Sequence, residues 1–202
     1  MSTIKYPDNA VISYAYNGPL LLKVYEGATT YGQYTGYNAL GQPGTLTFGN
    51  GVVTTYSYQA QNFRLSTLVS TKGTTTLQNF GYSYDTGGNI TALSDAVNGN
   101  QTFGYDGLNR LDTATGPYGL HDYDYDELGN LTFNPLVGTY AYPPSGPTSV
   151  RPHAVTTAGS NSYTYDNNGN MLTGPGRALA YDFENRPTSI TSGGLATTMT
   201  YD

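Results

Sequence analysis

Cysteine and tryptophan are both absent from the 202 residues. Without cysteine the chain cannot form a disulfide, a thiolate metal site or a cysteine nucleophile, although this absence does not fix the cellular compartment. Charged residues make up 11% of the sequence, against roughly 25% in average soluble domains. The longest purely aliphatic run is Leu20-Leu21-Leu22 and no basic segment precedes an apolar one at the N-terminus. We therefore predict neither a membrane span nor an export signal.

Basic residues are especially few, since 8 Lys and Arg stand against 14 Asp and Glu, for a net charge of −6. The excess of acids falls in residues 102–202, which hold four Arg and ten acids. Because the basic residues are scattered singly, the chain lacks the positive patch on which nucleic-acid binding depends. We predict no nucleic-acid partner.

Tyrosine and glycine are abundant instead, at 21 and 26 residues, with 11 prolines. The intervals between tyrosines are filled largely by Thr, Ser, Gly and Asn. This composition is typical of β-strands and tight turns.

The sequence repeats a unit of about twenty residues that reads Tyr-x-Tyr-Asp-x-x-Gly-Asn. The clearest copies begin at Tyr82, Tyr123 and Tyr163. The second aromatic residue of each copy, the marker tyrosine, lies at positions 16, 37, 58, 84, 105, 125, 142, 165, 181 and 201. A fixed period of this kind indicates a repeat architecture.

Each position of the unit has a physical interpretation. Tyrosines at i and i+2 share one strand face, where rings of neighbouring strands can stack. The following Asp accepts a backbone N–H two residues on and starts a turn, and the later Gly or Asn tolerates a positive φ. The unit is thus predicted to be a β-hairpin with a type I turn and a bulge. The structural repeat positions are Tyr84, Asp85, Gly88, Asn89, Tyr105, Asp106, Asn109, Tyr125, Asp126, Gly129, Asn130, Tyr165, Asp166, Gly169, Asn170, Tyr181, Asp182 and Asn185.

The predicted fold is all-β, with about ten hairpins stacked into one long, twisted and curled antiparallel sheet. Residues 1–202 are interpreted as a single repeat array, and residues 1–13 as an N-terminal lead-in strand. The proline-rich stretch Pro143–Pro147 is the best candidate for a linker, but the repeat resumes after it.

The array resembles the rearrangement-hotspot (Rhs) or tyrosine-aspartate (YD) repeats of large bacterial secreted proteins, including the C component of insecticidal toxin complexes and, more distantly, the teneurins. Segments 163–171 and 179–187 carry this resemblance most specifically. It implies a spiralling β-sheet that forms a hollow shell around a toxic or bound polypeptide. The self-cleaving segment of complete shells contains an Arg-Asp pair, which this sequence lacks, so self-cleavage is not transferred. No toxin domain is expected, because repeats continue to Asp202.

The acidic cluster near residue 124 and the two histidines are the candidate catalytic or metal-binding side chains. Asp122, Asp124 and Asp126 alternate with tyrosines, and Glu127 follows them, but counting from Asp122 gives no calcium-loop pattern. His121 and His153 have no second histidine nearby. A solvated acidic face and surface or packed histidines are the preferred interpretations, with incidental cation binding as the alternative. We predict no catalytic, cofactor-binding or metal-binding residues, no cofactor and no enzyme activity.

The sequence therefore predicts a structural repeat module, a segment of a shell that encapsulates a protein toxin or cargo. Its partners would be the rest of an Rhs-type shell or other copies of itself, joined through open sheet edges. The resemblance implies a bacterial protein that is secreted or loaded into a secretion apparatus. The alternative is a cell-surface module that binds glycans through rows of exposed tyrosines, which is decided by how exposed those rings are.

Overall fold

A computed structural model describes residues 2–202 as 22 β-strands joined by turns and loops. Each strand hydrogen-bonds to its neighbours in chain order, and every pairing for which a register is given is antiparallel. No segment among these residues forms a helix long and apolar enough to cross a membrane. The all-β antiparallel hairpin architecture predicted from the repeat is confirmed.

The strands form three sheets, where the sequence predicted one. The 12-stranded sheet contains β1 Ser2–Lys5, β2 Val11–Asn17, β3 Leu20–Glu26, β4 Thr29–Thr35, β5 Thr45–Phe48, β6 Val52–Tyr58, β7 Leu65–Lys72, β8 Thr75–Tyr84, β9 Ile90–Asp95, β10 Gln101–Tyr105, β11 Leu111–Gly116 and β12 Gly119–Asp122. The first five-stranded sheet contains β13 Asp124–Tyr125, β14 Leu131–Asn134, β15 Gly138–Ala141, β16 Thr157–Ala158 and β17 Asn161–Ser162. The second contains β18 Thr164–Tyr165, β19 Met171–Gly174, β20 Arg177–Tyr181, β21 Pro187–Ser192 and β22 Leu195–Thr198.

The sheets divide at Tyr123 and Tyr163, each the first tyrosine of a repeat unit. These residues lie between strands, so the hydrogen-bond ladder stops for one residue and a new sheet begins after it. The chain also forms two compact units, Met1–Leu120 and His121–Asp202. The proline-rich stretch 143–147 lies within the second unit, and the boundary falls instead in β12.

The two faces of the large sheet differ in chemistry because side chains alternate along each strand. On β6, Tyr56 and Tyr58 share a face with Thr54, while Thr55 and Ser57 point the opposite way. Paired residues on neighbouring strands lie on the same face of the sheet. Tyr56 pairs with Leu68 and Leu68 pairs with Phe80, so these three side chains share one face. We call this side the tyrosine face. The other side, the threonine face, is dominated by small polar side chains.

Burial in the protein is shallow. Among residues 2–202 the buried apolar side chains are Leu46, Ala114 and Ala158, and none of the large side chains is completely buried. Strands of the large sheet pack mainly against their immediate neighbours in the chain, so no second layer of residues 2–120 covers either face extensively. Stability must therefore depend on hydrogen-bond ladders, turns and contacts between successive hairpins more than on a deep apolar core.

Candidate functional site

The repeated Tyr-Asp turn is the feature that the sequence analysis singled out, and Asp166 illustrates its construction. The Asp166 N–H donates to the Asn170 carbonyl at 2.9 Å, and the Gly169 N–H donates to the Asp166 carbonyl at 3.2 Å. The Asp166 Oδ1 accepts the backbone N–H groups of Asn168 and Asn170, both at 2.9 Å. Its Oδ2 accepts the Asn170 side-chain amide at 2.9 Å. One carboxylate thus fixes a five-residue turn.

The same arrangement recurs along the chain with one variable position. The residue four places after the Asp is Asn89, Asn130 or Asn170 in three turns, and Arg110 or Arg186 in the other two. In the arginine turns the guanidinium Nε donates to the carboxylate, at 2.7 Å for Asp106 and 2.9 Å for Asp182. Both residue types bring a donor to the same oxygen.

These hydrogen bonds favour the ionised carboxylate. The side-chain amide of Asn89, aided by backbone N–H groups, lowers the pKa of Asp85 below its ordinary value against the opposing effect of desolvation. The Arg110 backbone N–H is the largest cause that lowers the pKa of Asp106, and the Arg186 N–H has that role at Asp182. A carboxyl with a lowered pKa stabilises the fold above its unfolded pKa and loses that contribution as pH falls through the folded value.

The glycine and asparagine positions of the turns have the left-handed backbone that the sequence predicts. The values of φ are 103° at Gly88, 60° at Asn109, 85° at Gly129, 91° at Gly169 and 62° at Asn185. Glycine adopts this region without strain and asparagine does so more easily than other side chains, so the repeat alternates between these two residues.

A bulge follows each of these turns. In the hairpin of β10 and β11, Gly104 pairs with Thr113 but Tyr105 pairs with Leu111, so Asp112 is left over. The same shift occurs immediately before the marker tyrosine in six further hairpins, at Tyr16, Tyr58, Tyr84, Tyr125, Tyr165 and Tyr181. A bulge increases local twist and ends regular pairing.

Marker tyrosines join successive hairpins through their hydroxyl groups. The Tyr84 hydroxyl donates to the Leu65 carbonyl of the preceding hairpin at 2.7 Å, and Tyr105 donates to the Ile90 carbonyl at 2.8 Å. We call this contact the tyrosine clasp. The other clasps join Tyr37 to Leu21, Tyr58 to Pro43, Tyr142 to Leu131, Tyr165 to Val155 and Tyr201 to Pro187.

The register explains why these carbonyls need the hydroxyl. Pairing between β7 and β8 begins at Thr67, two residues after Leu65, and pairing between β9 and β10 begins at Ala92, two residues after Ile90. The accepting carbonyl therefore lies just beyond the ladder, where the next strand has diverged. The marker tyrosine enters this gap and supplies the donor that the backbone does not.

The clasp was missed from sequence, where ring stacking was predicted for these tyrosines. An edge-to-face contact is present between Phe80 and Tyr82, with centroids 6.4 Å apart. The repeat contains a sequence signal for the clasp. The first aromatic position is Phe103 or Leu179 in two copies, whereas the marker position is tyrosine in all ten. A clasp needs the hydroxyl of the marker tyrosine, which phenylalanine or leucine does not supply.

Contacts between neighbouring turns reinforce the clasp. Asn89 donates to the Asn109 side chain at 2.9 Å, and Asn170 donates to the Asn185 side chain at 2.7 Å. Arg64 Nη1 donates to the Asp85 carbonyl at 3.1 Å while its guanidinium lies 5.5 Å from the Tyr84 ring centroid. The hairpins that begin with Tyr84 and Tyr105 are thus attached to the preceding hairpin at three levels, by ladder, by tyrosine and by turn.

The candidate metal and catalytic side chains occupy separate positions. Asp122 and Asp124 are exposed on either side of Tyr123, and the Asp126 carboxylate is used within its turn. His153 shares a 2.7 Å hydrogen bond with Asn130 Oδ1, while His121 lies half-buried in β12. Within residues 2–202, no three His, Asp or Glu side chains come together in a group suited to hold a metal ion.

The exposure of the tyrosine rings bears on the glycan alternative. Tyr58, Tyr84, Tyr105, Tyr142 and Tyr165 are half-buried, and their hydroxyls are engaged in clasps. The rings with more than 40% exposure are Tyr6, Tyr16, Tyr31, Tyr118 and Tyr201. The marker tyrosines thus serve largely as internal joints, not as an open aromatic platform.

Comparison with known proteins identifies relatives of this fold. The RHS Repeat family matches residues 84–121. Among solved structures, 94% of the chain aligns with a chain of the TcdB2-TccC3-Cdc42 complex at 20% identity and a TM-score of 0.70. A chain of the Photorhabdus luminescens Tc holotoxin pore with mutant TccC3 gives 19% identity and a TM-score of 0.66, again over 94% of this chain. The sequence spans only 11 to 12% of those two solved chains. No curated protein sequence matches the chain.

Proposed function

We propose that the chain is a segment of a β-sheet wall that encloses a polypeptide cargo, because residues 84–121 match the RHS Repeat family and the fold is similar to that of chains in Tc toxin structures. The tyrosine clasp is the observation that carries this proposal. It connects successive hairpins through the same backbone geometry, as at Tyr84 and Tyr105, so the array extends by repetition.

The hydrogen bonds made by the polar side chains of the repeat support a structural role. The carboxylates of the repeat accept hydrogen bonds within their own turns, and the marker hydroxyls join hairpins. A wall of this type also separates two environments, since its tyrosine and threonine faces differ. From the family resemblance we further propose a secreted bacterial assembly as the setting, with a toxin or other protein as the enclosed partner.

Association through sheet edges is the second part of the proposal. β22 is the outer strand of its sheet and all four of its residues are exposed, with Leu195 at 79%. β1 at the edge of the large sheet is likewise exposed throughout. Unpaired strand edges of this kind accept another strand, so further repeat segments or other copies of the chain can extend the wall there.

Cysteine accessibility tests the wall directly, because the native chain has no cysteine. Gln78 and Asn79 are consecutive exposed residues of β8 and point to opposite faces. Gln78→Cys places a cysteine on the tyrosine face, since Gln78 pairs with Ser70 and Ser70 pairs with Thr54. Asn79→Cys places one on the threonine face. Each single variant is treated with a small maleimide and with a polymer-linked maleimide. Both reactions are run on the dissociated chain and on assemblies, and light scattering across a concentration series distinguishes the two states.

In the dissociated chain both cysteines should react with both reagents, because neither face is covered. In assemblies one cysteine should react with both reagents and the other only with the small one. Equal reaction of both with the polymer in assemblies would contradict enclosure. A dissociated chain in which either cysteine resists the small reagent would contradict a one-layer wall, and a constant mass of 21.6 kDa at all concentrations would contradict self-assembly.

A further inference from the structure

The strongest departure from the repeat lies in the second unit, after Tyr142. Here the expected Tyr-Asp pair is replaced by Tyr142-Pro143, and no strand forms between Ala141 and Thr157. Interruptions of a local rule are where functional sites concentrate, especially on loops held by a regular scaffold. This loop also borders a depression with a cavity volume of about 370 Å³.

The depression combines flat rings with negative charge. Tyr140, Tyr142 and two consecutive prolines line it, with Leu128 beside them, and Asp126 and Glu127 supply carboxylates. No Lys, Arg or His lines it. Desolvation is the main cause that raises the pKa of Tyr142, followed by the nearby Tyr140 and the charge of Asp126.

The polar groups of the depression are unevenly available. The Tyr142 hydroxyl already donates to the Leu131 carbonyl at 2.9 Å, and the Asp126 oxygens accept three hydrogen bonds within the turn. A sugar needs many free directional partners, and Tyr142 and Asp126 leave only the hydroxyls of Thr132, Tyr140 and Ser145 as neutral side-chain partners in the depression. Glu127 is exposed and forms no ion pair within residues 2–202. The Asp126 carboxylate keeps its negative charge even though its oxygens accept hydrogen bonds within the turn.

We propose that this depression binds the guanidinium group of an arginine side chain in a partner polypeptide. Flat Tyr and Pro rings match the planar guanidinium, which stacks on aromatic faces more effectively than a lysine ammonium. The adjacent Glu127 carboxylate accepts its N–H groups in a charge-assisted contact. The carboxylates of Asp126 and Glu127 disfavour an anionic ligand by electrostatic repulsion. The inference is independent of whether the array encloses a cargo.

The test uses the full chain and three short blocked peptides, Gly-Arg-Gly, Gly-Lys-Gly and Gly-Gln-Gly, with glucose as a fourth probe. Binding is followed by NMR shift changes of backbone amides. The arginine peptide should shift amides around the depression, with a Kd of roughly 1 mM or weaker for such an open site. The lysine peptide should bind more weakly and the glutamine peptide not at all. Added salt should weaken the arginine complex.

Variants locate the contact. Glu127→Gln should weaken arginine binding about fivefold and Tyr140→Leu about threefold, whereas Tyr140→Phe should preserve it because the ring is retained. Glu184→Gln is the control, since Glu184 lies in another turn beside Arg186 and should leave binding unchanged. Glucose binding in preference to arginine would overturn the proposal, as would equal binding of the glutamine peptide or no detectable binding. Thermal unfolding of each variant checks that the fold is intact.

Discussion

Replacing Gly129 by valine should lower the free energy of unfolding by about 2 kcal/mol, because a β-branched residue resists positive φ. Gly129 has a φ of 85°, and a Cβ placed there would meet no heavy atom within 4 Å. The expected loss is therefore mainly conformational, since the added Cβ meets no neighbouring atom. Urea unfolding followed by circular dichroism measures the change, and Gly129→Asn should lose less, because asparagine occupies the equivalent position in two other turns.

The chain offers a matched control at Gly107. This glycine lies in the turn that follows Asp106, also has open space around a built Cβ, and does not have a positive φ. Gly107→Val should change the free energy of unfolding by less than about 0.5 kcal/mol. Equal losses at Gly129 and Gly107 would remove the argument that the repeat selects glycine for backbone conformation.

Removing one tyrosine clasp should lower the free energy of unfolding by about 1 to 1.5 kcal/mol, because a backbone carbonyl loses its donor. Tyr84→Phe deletes only the hydroxyl that donates to Leu65. The effect of Tyr105→Phe, which releases the Ile90 carbonyl, should be similar. The two clasps have different acceptors, so the double variant should lose roughly the sum, about 2 to 3 kcal/mol. Urea unfolding under the same conditions gives all three values.

Tyr82 provides the control for the clasp within the same strand. It belongs to the same Tyr-x-Tyr pair and packs against Phe80, but its hydroxyl makes no hydrogen bond among the described residues 2–202. Tyr82→Phe should therefore be nearly neutral, as the natural Phe103 at the corresponding position suggests. A loss at Tyr82 as large as that at Tyr84 would show that the hydroxyl contact is not what distinguishes the marker position.

Local features of the fold could be predicted from sequence because they depend on residues within one unit. The turn at Asp166 and the positive φ at Gly169 follow from side-chain and backbone preferences over five residues. The clasp between Tyr84 and Leu65 could not be predicted in the same way, since it depends on where a bulge ends the ladder of another hairpin. The breaks at Tyr123 and Tyr163 also escaped prediction, because these residues resemble every other first tyrosine in the repeat.

The depression beside Tyr142 could not be predicted from the sequence either. The composition of the Pro143–Pro147 stretch predicts a linker candidate, but in the structure Pro143, Pro144 and Ser145 line a concave site. Composition identifies where the repeat is interrupted. It does not reveal that Tyr140 and Asp126, which come from separate strands and turns, lie beside that interruption.

The most direct test of the account is a tyrosine titration of the folded chain, read by ultraviolet absorbance alongside circular dichroism. Desolvation raises the pKa of several tyrosines in the array, namely Tyr37, Tyr56, Tyr58, Tyr82, Tyr84, Tyr142 and Tyr165. Since the folded pKa exceeds the unfolded one, the stabilisation is present below about pH 10 and is lost as pH rises through the folded value.

We therefore expect part of the tyrosine ionisation of the folded chain to occur at higher pH than in urea, together with loss of β-structure. In urea, all 21 tyrosines should ionise as a single class. If the folded chain also titrates as a single class at the ordinary pKa while its β-structure persists, the tyrosines are open surface groups, and the claim that they join the hairpins of a wall is wrong.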